Sequence, residues 1–204
     1  MSVAALILAA GRGTRFGEEP KLLASLEGKP LVRHAADAAL ASSARPVILV
    51  VGSRAAAVRA ACSGVAVEVV LNSAFADGLS TSLRAGFAAL PAQIEGALIL
   101  LGDMPRIGAA LLDRLVSAWG QAGRPPALVP TYGGRRGNPV LLSRVLAPEI
   151  AALSGDEGAG RLLRGRADVV EFPVDDEAVA TDVDTPEALR RLGQASTTPS
   201  RIAP

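Results

Sequence analysis

Cysteine and histidine are nearly absent from this 204-residue chain, with one of each, Cys62 and His34. That count excludes a disulfide framework, an iron–sulfur cluster and a Cys/His zinc site. A Ser-His-Asp or Cys-His hydrolase would rest on His34 alone. A reducing, cytoplasmic setting is expected. Aromatic residues make up only 3% of the chain while half of it is hydrophobic, so the core has to be built from Ala, Val and Leu. An excess of either charge is also missing, since 21 basic and 20 acidic residues leave +1. A reader of nucleic acid that grips phosphates carries a basic excess, so no such partner is expected. No apolar run is long enough to span a bilayer, and no membrane partner is expected. The apolar stretch from Val3 to Ala10 has no positive charge before it and Arg12 and Arg15 after it, which predicts a buried strand and not a signal segment. Lysine is scarce too. All but two of the cations are Arg, and only Lys21 and Lys29 are Lys. In such a chain a retained Lys points to a need for its compact charge.

The length suits one α/β domain. Short β-rich runs alternate with helical stretches. Strands are predicted at 3–9, 46–51, 65–71, 96–101, 127–131, 139–142 and 169–174. Helices are predicted at 31–41, 54–61, 81–90, 107–121 and 158–164. A final helix opens at Thr185-Pro186-Glu187, with an N-cap and a proline at its first position. This alternation means βαβ units and a parallel sheet with right-handed crossovers. The domain is expected to span 1–194. The Ser-, Thr- and Pro-rich segment 195–204 is expected to be a disordered tail.

Leu8-Ala-Ala-Gly-Arg-Gly-Thr-Arg-Phe-Gly17 follows the first strand directly. Ligands of open parallel sheets bind beyond the carboxyl ends of the strands. Glycines let a backbone approach a polyphosphate, and Arg12, Arg15 and Lys21 add cations. Two familiar phosphate loops fail here on spacing. The dinucleotide fingerprint requires a glycine where Phe16 stands and an acid after the second strand, which ends Val50-Val51-Gly52-Ser53. The Walker loop requires Gly-Lys-Ser/Thr, and Gly17 is followed by Glu18-Glu19.

Leu100-Leu101-Gly102-Asp103-Met104-Pro105 sets a carboxylate just past a buried strand. Asp103 suits either Mg²⁺ beside phosphates or a helix N-cap. In Thr181-Asp-Val-Asp-Thr-Pro-Glu187, alternation puts Asp182 and Asp184 on one face. The alternative there is helix entry, with Asp184 or Thr185 as cap. Asn72 to Leu83 runs from a strand end into a helix, where Ser80 and Ser82 suit either a base edge or a cap. His34, Cys62 and Trp119 read as structural.

The loop L-A-A-G-x-G-x-R-x-G with its following lysine, together with G-L-S-T-S-L, L-G-D-M-P and D-V-D-T-P-E, resembles the MobA-like nucleotidyltransferases over residues 3 to about 192. Within them the likeness is to the molybdenum cofactor cytidylyltransferases. The resemblance implies a single-domain Rossmann-like three-layer α/β/α sandwich, mostly parallel with one antiparallel strand. It also implies transfer of CMP from CTP to the phosphate of molybdopterin, with release of pyrophosphate. Catalytic roles would fall to Arg15, Lys21 and Asp103. Nucleotide contacts would come from Leu8, Ala9, Ala10, Gly11, Arg12, Gly13, Arg15, Lys21, Asn72, Gly78, Ser80, Ser82 and Asp103. Asp103 and Asp184 would hold Mg²⁺. The acceptor would meet Asn138, Asp156 and Arg161, in segments that resemble G-H-P-V-L and G-D-x-G-A-R. There this chain has Asn138 for the usual histidine and Gly160 for the usual arginine, with Arg161 one step later. L-A-A-G, where guanylyltransferases tend to carry L-A-G-G, leans toward cytosine. A molybdenum hydroxylase would receive the product. The readings set beside this one are another base or phosphorylated acceptor, a non-catalytic cofactor chaperone, and an NAD(P)-dependent oxidoreductase.

Overall fold

Every residue of Val3–Ala9 is apolar and buried, as a strand covered on both faces must be. In the computed structural model, which describes residues 2–17 and 19–195, this strand lies inside an eight-stranded sheet. The elements run β1 (Val3–Ala9), β2 (Ser25–Leu26), β3 (Lys29–Pro30), α1 (Leu31–Ala41), β4 (Val47–Val51), α2 (Ala55–Ala61), β5 (Glu68–Leu71), α3 (Leu79–Ala88), β6 (Gly96–Leu101) and α4 (Ala109–Gln121). They continue with β7 (Ala127–Tyr132), β8 (Arg135–Arg136), β9 (Val140–Ser143), α5 (Ala147–Ala152), α6 (Ala159–Leu162), β10 (Val169–Pro173) and α7 (Pro186–Ala195). The segment expected to be a tail lies, beyond Ala195, outside the described residues.

The sheet order is β10-β7-β9-β6-β1-β4-β5, with β8 hooked onto β7. β1 pairs in parallel with β4 and β6, β4 with β5, and β10 with β7. β9 runs antiparallel to both of its neighbours, β6 and β7. This is the expected mostly parallel sheet with one antiparallel strand, to which β8 adds a two-residue antiparallel tab.

Alternation along β1 feeds two cores. Val3, Ala5, Ile7 and Ala9 pack with Val32, Ala35, Ala36 and Ala39 of α1, Val58 of α2 and Leu111, Leu112, Leu115 and Trp119 of α4. Ala4, Leu6 and Leu8 face the other way, toward Leu83 and Phe87 of α3 and Ile150 of α5. The fold therefore has three layers, with helices on both faces of the sheet. Gly96 makes room for the one bulky indole, since a Cβ there would sit 3.2 Å from the Trp119 ring.

A third, small cluster joins Phe16, Ala24, Leu26, Leu31 and Val183, with Leu189 and Leu192 of α7 against it. It binds the segment after β1 to the segment before α7, far apart in sequence. Phe16, which breaks the dinucleotide fingerprint, is the buried anchor of its loop.

Several boundaries differ from the sequence reading. α3 starts at Leu79 because Gly78, at φ 105°, turns the chain into it. β5 starts only at Glu68, after a tight turn in which Val67 N–H donates to Val65 C=O. α4 starts at Ala109, after an extended Gly108. The β2–β3 hairpin, β8 and α5 had no forecast. Among the described residues, no helix is long and apolar enough to cross a membrane.

Candidate active site

Because β1, β4, β5 and β6 are parallel, the loops after them open on one edge of the sheet. Their ends are tied together by backbone bonds, with Gly102 N–H donating to Leu8 C=O, Ser53 N–H to Ala10 C=O and Asn72 N–H to Val51 C=O. A cavity of about 600 Å³ lies at that edge. Leu8, Ala10, Gly11, Arg12, Gly13, Arg15, Lys21, Gly78, Ser82, Asp103, Asp156 and Asp184 all line it. Ala9, Asn72 and Ser80 do not. Ala9 points into the core. The Asn72 amide donates to Thr81 Oγ1 (2.8 Å) and Ser82 Oγ (3.1 Å), and its oxygen accepts from Ala74 N–H, so it pins the loop between β5 and α3. Ser80 is fully buried, with its hydroxyl unpartnered among the described residues.

The glycine loop turns at Gly13 (φ 62°) into a 3₁₀ turn over Thr14–Phe16. A Cβ on Gly13 would sit 3.0 Å from Lys21 Cβ, so this glycine lets the second 3₁₀ turn, Lys21–Leu23, pass close by. Asp103 follows β6. Val183 N–H donates to its carbonyl (3.0 Å), which sets Asp182 and Asp184 on either side of it. One carboxylate oxygen from each of Asp103, Asp182 and Asp184 lies within 4.8 Å of the others, a group able to hold a metal ion. Alternation foresaw Asp182 and Asp184 together, but only the chain's return brings Asp103 to them. The cap of α7 is Thr185, whose Oγ1 accepts from Ala188 N–H, leaving Asp184 free for the cavity.

Lys21 Nζ donates to Asp103 Oδ2 (2.5 Å) and Asp184 Oδ1 (2.8 Å), and Arg15 reaches Asp184 Oδ2 (2.7 Å). Burial opposes the charge on Lys21, but the two carboxylates outweigh it and hold the ammonium above its ordinary 10.5. The hydrogen bond from Lys21, then its charge and that of Arg15, hold Asp184 below its ordinary 3.8 despite partial burial. Asp103 Oδ1 is buried and has no partner among the described residues. A buried carboxylate oxygen left this way is unfavourable unless a cation or donor meets it. With three convergent oxygen ligands, the site fits a hard divalent cation.

Ser53, Arg54 and Phe75 also line the cavity, and the sequence reading missed them. Arg12 stacks over the Phe75 ring, 5.8 Å from its centroid. Gly52 permits this wall, because a Cβ there would strike Phe75 at 2.6 Å and Ala10 at 2.8 Å. The signal in the sequence is the Gly52-Ser-Arg54 turn after a buried strand, at the place where the dinucleotide fingerprint would have its ribose acid.

A second cavity of about 550 Å³ adjoins the first, sharing Leu8, Leu79, Leu101 and Asp156. Leu8, Leu79, Leu83, Ile99 and Leu101 give it an apolar lining, and Asn138, Arg161 and Arg164 add polar groups. The three expected acceptor residues therefore share one cavity. Gly160 also lines it, and a Cβ there meets nothing within 4 Å. Arg161 pairs with Glu157 at 3.3 Å. His34 is half-buried, with Nε2 2.9 Å from Leu26 C=O, and Cys62 is buried, so both are structural.

A glycine-lined, cation-rimmed cavity beside three carboxylates, at the carboxyl edge of a parallel sheet, belongs to the class of nucleotide-handling α/β proteins. The comparison with known sequences makes this specific: residues 5–170 match the MobA-like NTP transferase domain, and the chain belongs to that family. It is 32% identical over 202 residues to nicotine blue oxidoreductase from Paenarthrobacter nicotinovorans, covering 93% of this chain and 96% of that one. The crystal structure of Rv0371c from Mycobacterium tuberculosis H37Rv superposes with a TM-score of 0.82 at 32% identity, over 95% of this chain and 98% of the other. The same protein has been solved in complex with manganese, with a TM-score of 0.77, 32% identity, and 96% and 100% coverage. Molybdopterin-guanine dinucleotide biosynthesis protein A from Archaeoglobus fulgidus shares the fold, with a TM-score of 0.72 at 19% identity over 97% and 99% of the two chains.

Proposed function

We propose that residues 1–194 form a nucleotidyltransferase domain that moves CMP from CTP to the phosphate of a molybdopterin-type acceptor and releases pyrophosphate. An acceptor phosphate oxygen attacks the α-phosphorus, and the bond from that phosphorus to the oxygen bridging to the β-phosphate breaks. The nucleophile is already anionic near neutral pH, so no general base is needed. This agrees with the structural roles of His34 and Cys62. The work left to the chain is alignment and charge neutralisation. Backbone amides of Gly11–Gly13 and the side chains of Arg12, Arg15 and Lys21 receive the triphosphate. Asp103 and Asp184, with Asp182 beside them, would hold Mg²⁺. When bound, the ion supplies positive charge against the phosphate oxygens. The second cavity would hold the acceptor body on its apolar lining, with Asn138, Asp156 and Arg161 around it and Arg164 alongside. A molybdenum hydroxylase would take up the product. A cytoplasmic setting accompanies this reading.

One observation carries the proposal: the glycine loop, Lys21 and three carboxylates from distant segments converge in one cavity, with Asp103 Oδ1 left to be satisfied. The preference for cytosine rests on L-A-A-G alone. One relative's name favours a second reading. A chain 32% identical over 93% of this one is called nicotine blue oxidoreductase, and the glycine-lined cavity would then take a nicotinamide dinucleotide and the second cavity the acceptor it reduces. The experiment that separates them incubates the protein with molybdopterin, Mg²⁺ and each of CTP, GTP, ATP and UTP, and in parallel with NADPH and a redox dye. Pyrophosphate release with CTP is the expected result. NADPH oxidation with no pyrophosphate from any triphosphate would replace the first reading with the second.

A further inference from the structure

Lys21 stands between the two carboxylates assigned to the metal. Its Nζ lies 2.5 Å from Asp103 Oδ2 and 2.8 Å from Asp184 Oδ1, partners 82 and 163 residues away in sequence. Its side chain is only 13% exposed. A divalent cation on these carboxylates, even one seated through the unpartnered Asp103 Oδ1, would lie within a few ångströms of this ammonium, and the two positive charges repel. Arg15 is different. It meets the outer oxygen of Asp184, and its side chain is 78% exposed.

We propose that Lys21 is the resident counter-ion of the metal site. It holds Asp103 and Asp184 together when no nucleotide is bound, competes with the metal for them, and yields them more readily as the triphosphate draws it away. Lys suits this exchange better than Arg, because its point charge rides on a flexible four-carbon stem and makes no bidentate clamp on either carboxylate. This explains why one of the chain's two lysines stands here. The exchange makes metal and nucleotide binding mutually dependent, each raising the affinity of the other by the same factor.

The proposal rests on the reading of Asp103 and Asp184 as metal ligands, and its test keeps the two claims apart. Binding of Mn²⁺ alone to the full chain is followed by electron paramagnetic resonance, with no nucleotide and no turnover. Lys21→Met is expected to bind Mn²⁺ about tenfold more tightly than the parent chain. Arg15→Met removes the same charge from an exposed position and is expected to change affinity by less than about threefold. Lys21→Arg keeps a cation in place and is expected to stay within about threefold of the parent, which serves as a second arm should Lys21→Met melt early. Asp103→Asn is expected to lose Mn²⁺ binding. An unchanged affinity in Lys21→Met, an equal gain in Arg15→Met, or a tenfold gain in Lys21→Arg would overturn the counter-ion role while leaving the metal site standing. Parent-like binding by Asp103→Asn would remove the metal reading itself, and the proposal with it.

Discussion

Asp103 carries more of the functional argument than any other residue. One of its oxygens meets Lys21 and the other, though buried, meets nothing among the described residues. Replacing it by Ala removes the charge without touching either main core, so the fold should survive. Groups that stabilise developing charge are typically worth about 3–4 kcal/mol. Asp103→Ala is therefore expected to slow pyrophosphate release by at least about a hundredfold with a near-parent melting temperature, and turnover within about tenfold of the parent would remove Asp103 from the chemistry. Asp37 offers a prediction of another kind, away from the site. Partial burial works to raise its carboxyl, but hydrogen bonds and charge from Lys29 and Arg33, both at 2.7 Å, win and hold it below its ordinary 3.8. A depressed carboxyl stabilises the fold above its unfolded value and loses that contribution as pH falls through the folded one. Asp37→Asn is thus expected to cost about 0.5–1 kcal/mol at pH 7, as exposed pairs do. That difference should shrink toward zero below pH 3.8 in pH-dependent melts. Arg33 and Asp37 stand one turn apart on α1, and Lys29 reaches Asp37 from the β2–β3 hairpin.

At the scale of elements, the turns decide the site more than the helices and strands do. Gly78, expected as a nucleotide contact, lines the cavity and is also where the loop before α3 meets the loop before α6. A Cβ there would fall 2.2 Å from the carbonyl of Gly155 and 2.7 Å from the amide of Asp156, and its φ is 105°. Ser80 N–H donates to the same Gly155 carbonyl. Gly78→Ala is expected to cost about 2 kcal/mol or more, lowering the melting temperature by at least roughly 4–8 °C. Gly160→Ala, in open space on α6, should change stability by less than about 1 kcal/mol. Equal melting temperatures for the two variants would deny the close contact. Long, strongly patterned segments were legible in advance: β1, β6, α1 and the start of α7 lie where periodicity, glycines and the Thr-Pro pair put them. The β2–β3 hairpin and β8 were not, because two-residue strands have no period to detect and exist only where a neighbour supplies the pairing.

For the whole molecule, few aromatics mean that the one indole carries a large share of one core. Trp119 is 1% exposed, packs on α4 against the sheet, and donates from Nε1 to Pro125 C=O at 2.8 Å. Trp119→Ala is expected to cost about 3–5 kcal/mol through the cavity it leaves, lowering the melting temperature by roughly 10 °C. A drop of only a degree or two in calorimetry would mean that the core collapses around the gap.

The alternation of strands and helices, the mostly parallel sheet and the cation-rich glycine loop were determined by the chain's own pattern, while the three layers and the single antiparallel strand followed from the resemblance its motifs carry. Hydrophobic period and backbone preference act between near neighbours, so they are written in local sequence. The resemblance had already paired Asp103 with Asp184, but the bridge that Lys21 makes between them, the retreat of Asn72 into the loop it braces, and the Arg12–Phe75 wall beside Gly52 were decided only in three dimensions. Each joins side chains whose meeting depends on where the sheet and the small cluster around Phe16 and Val183 return the chain, and no spacing along one segment encodes that.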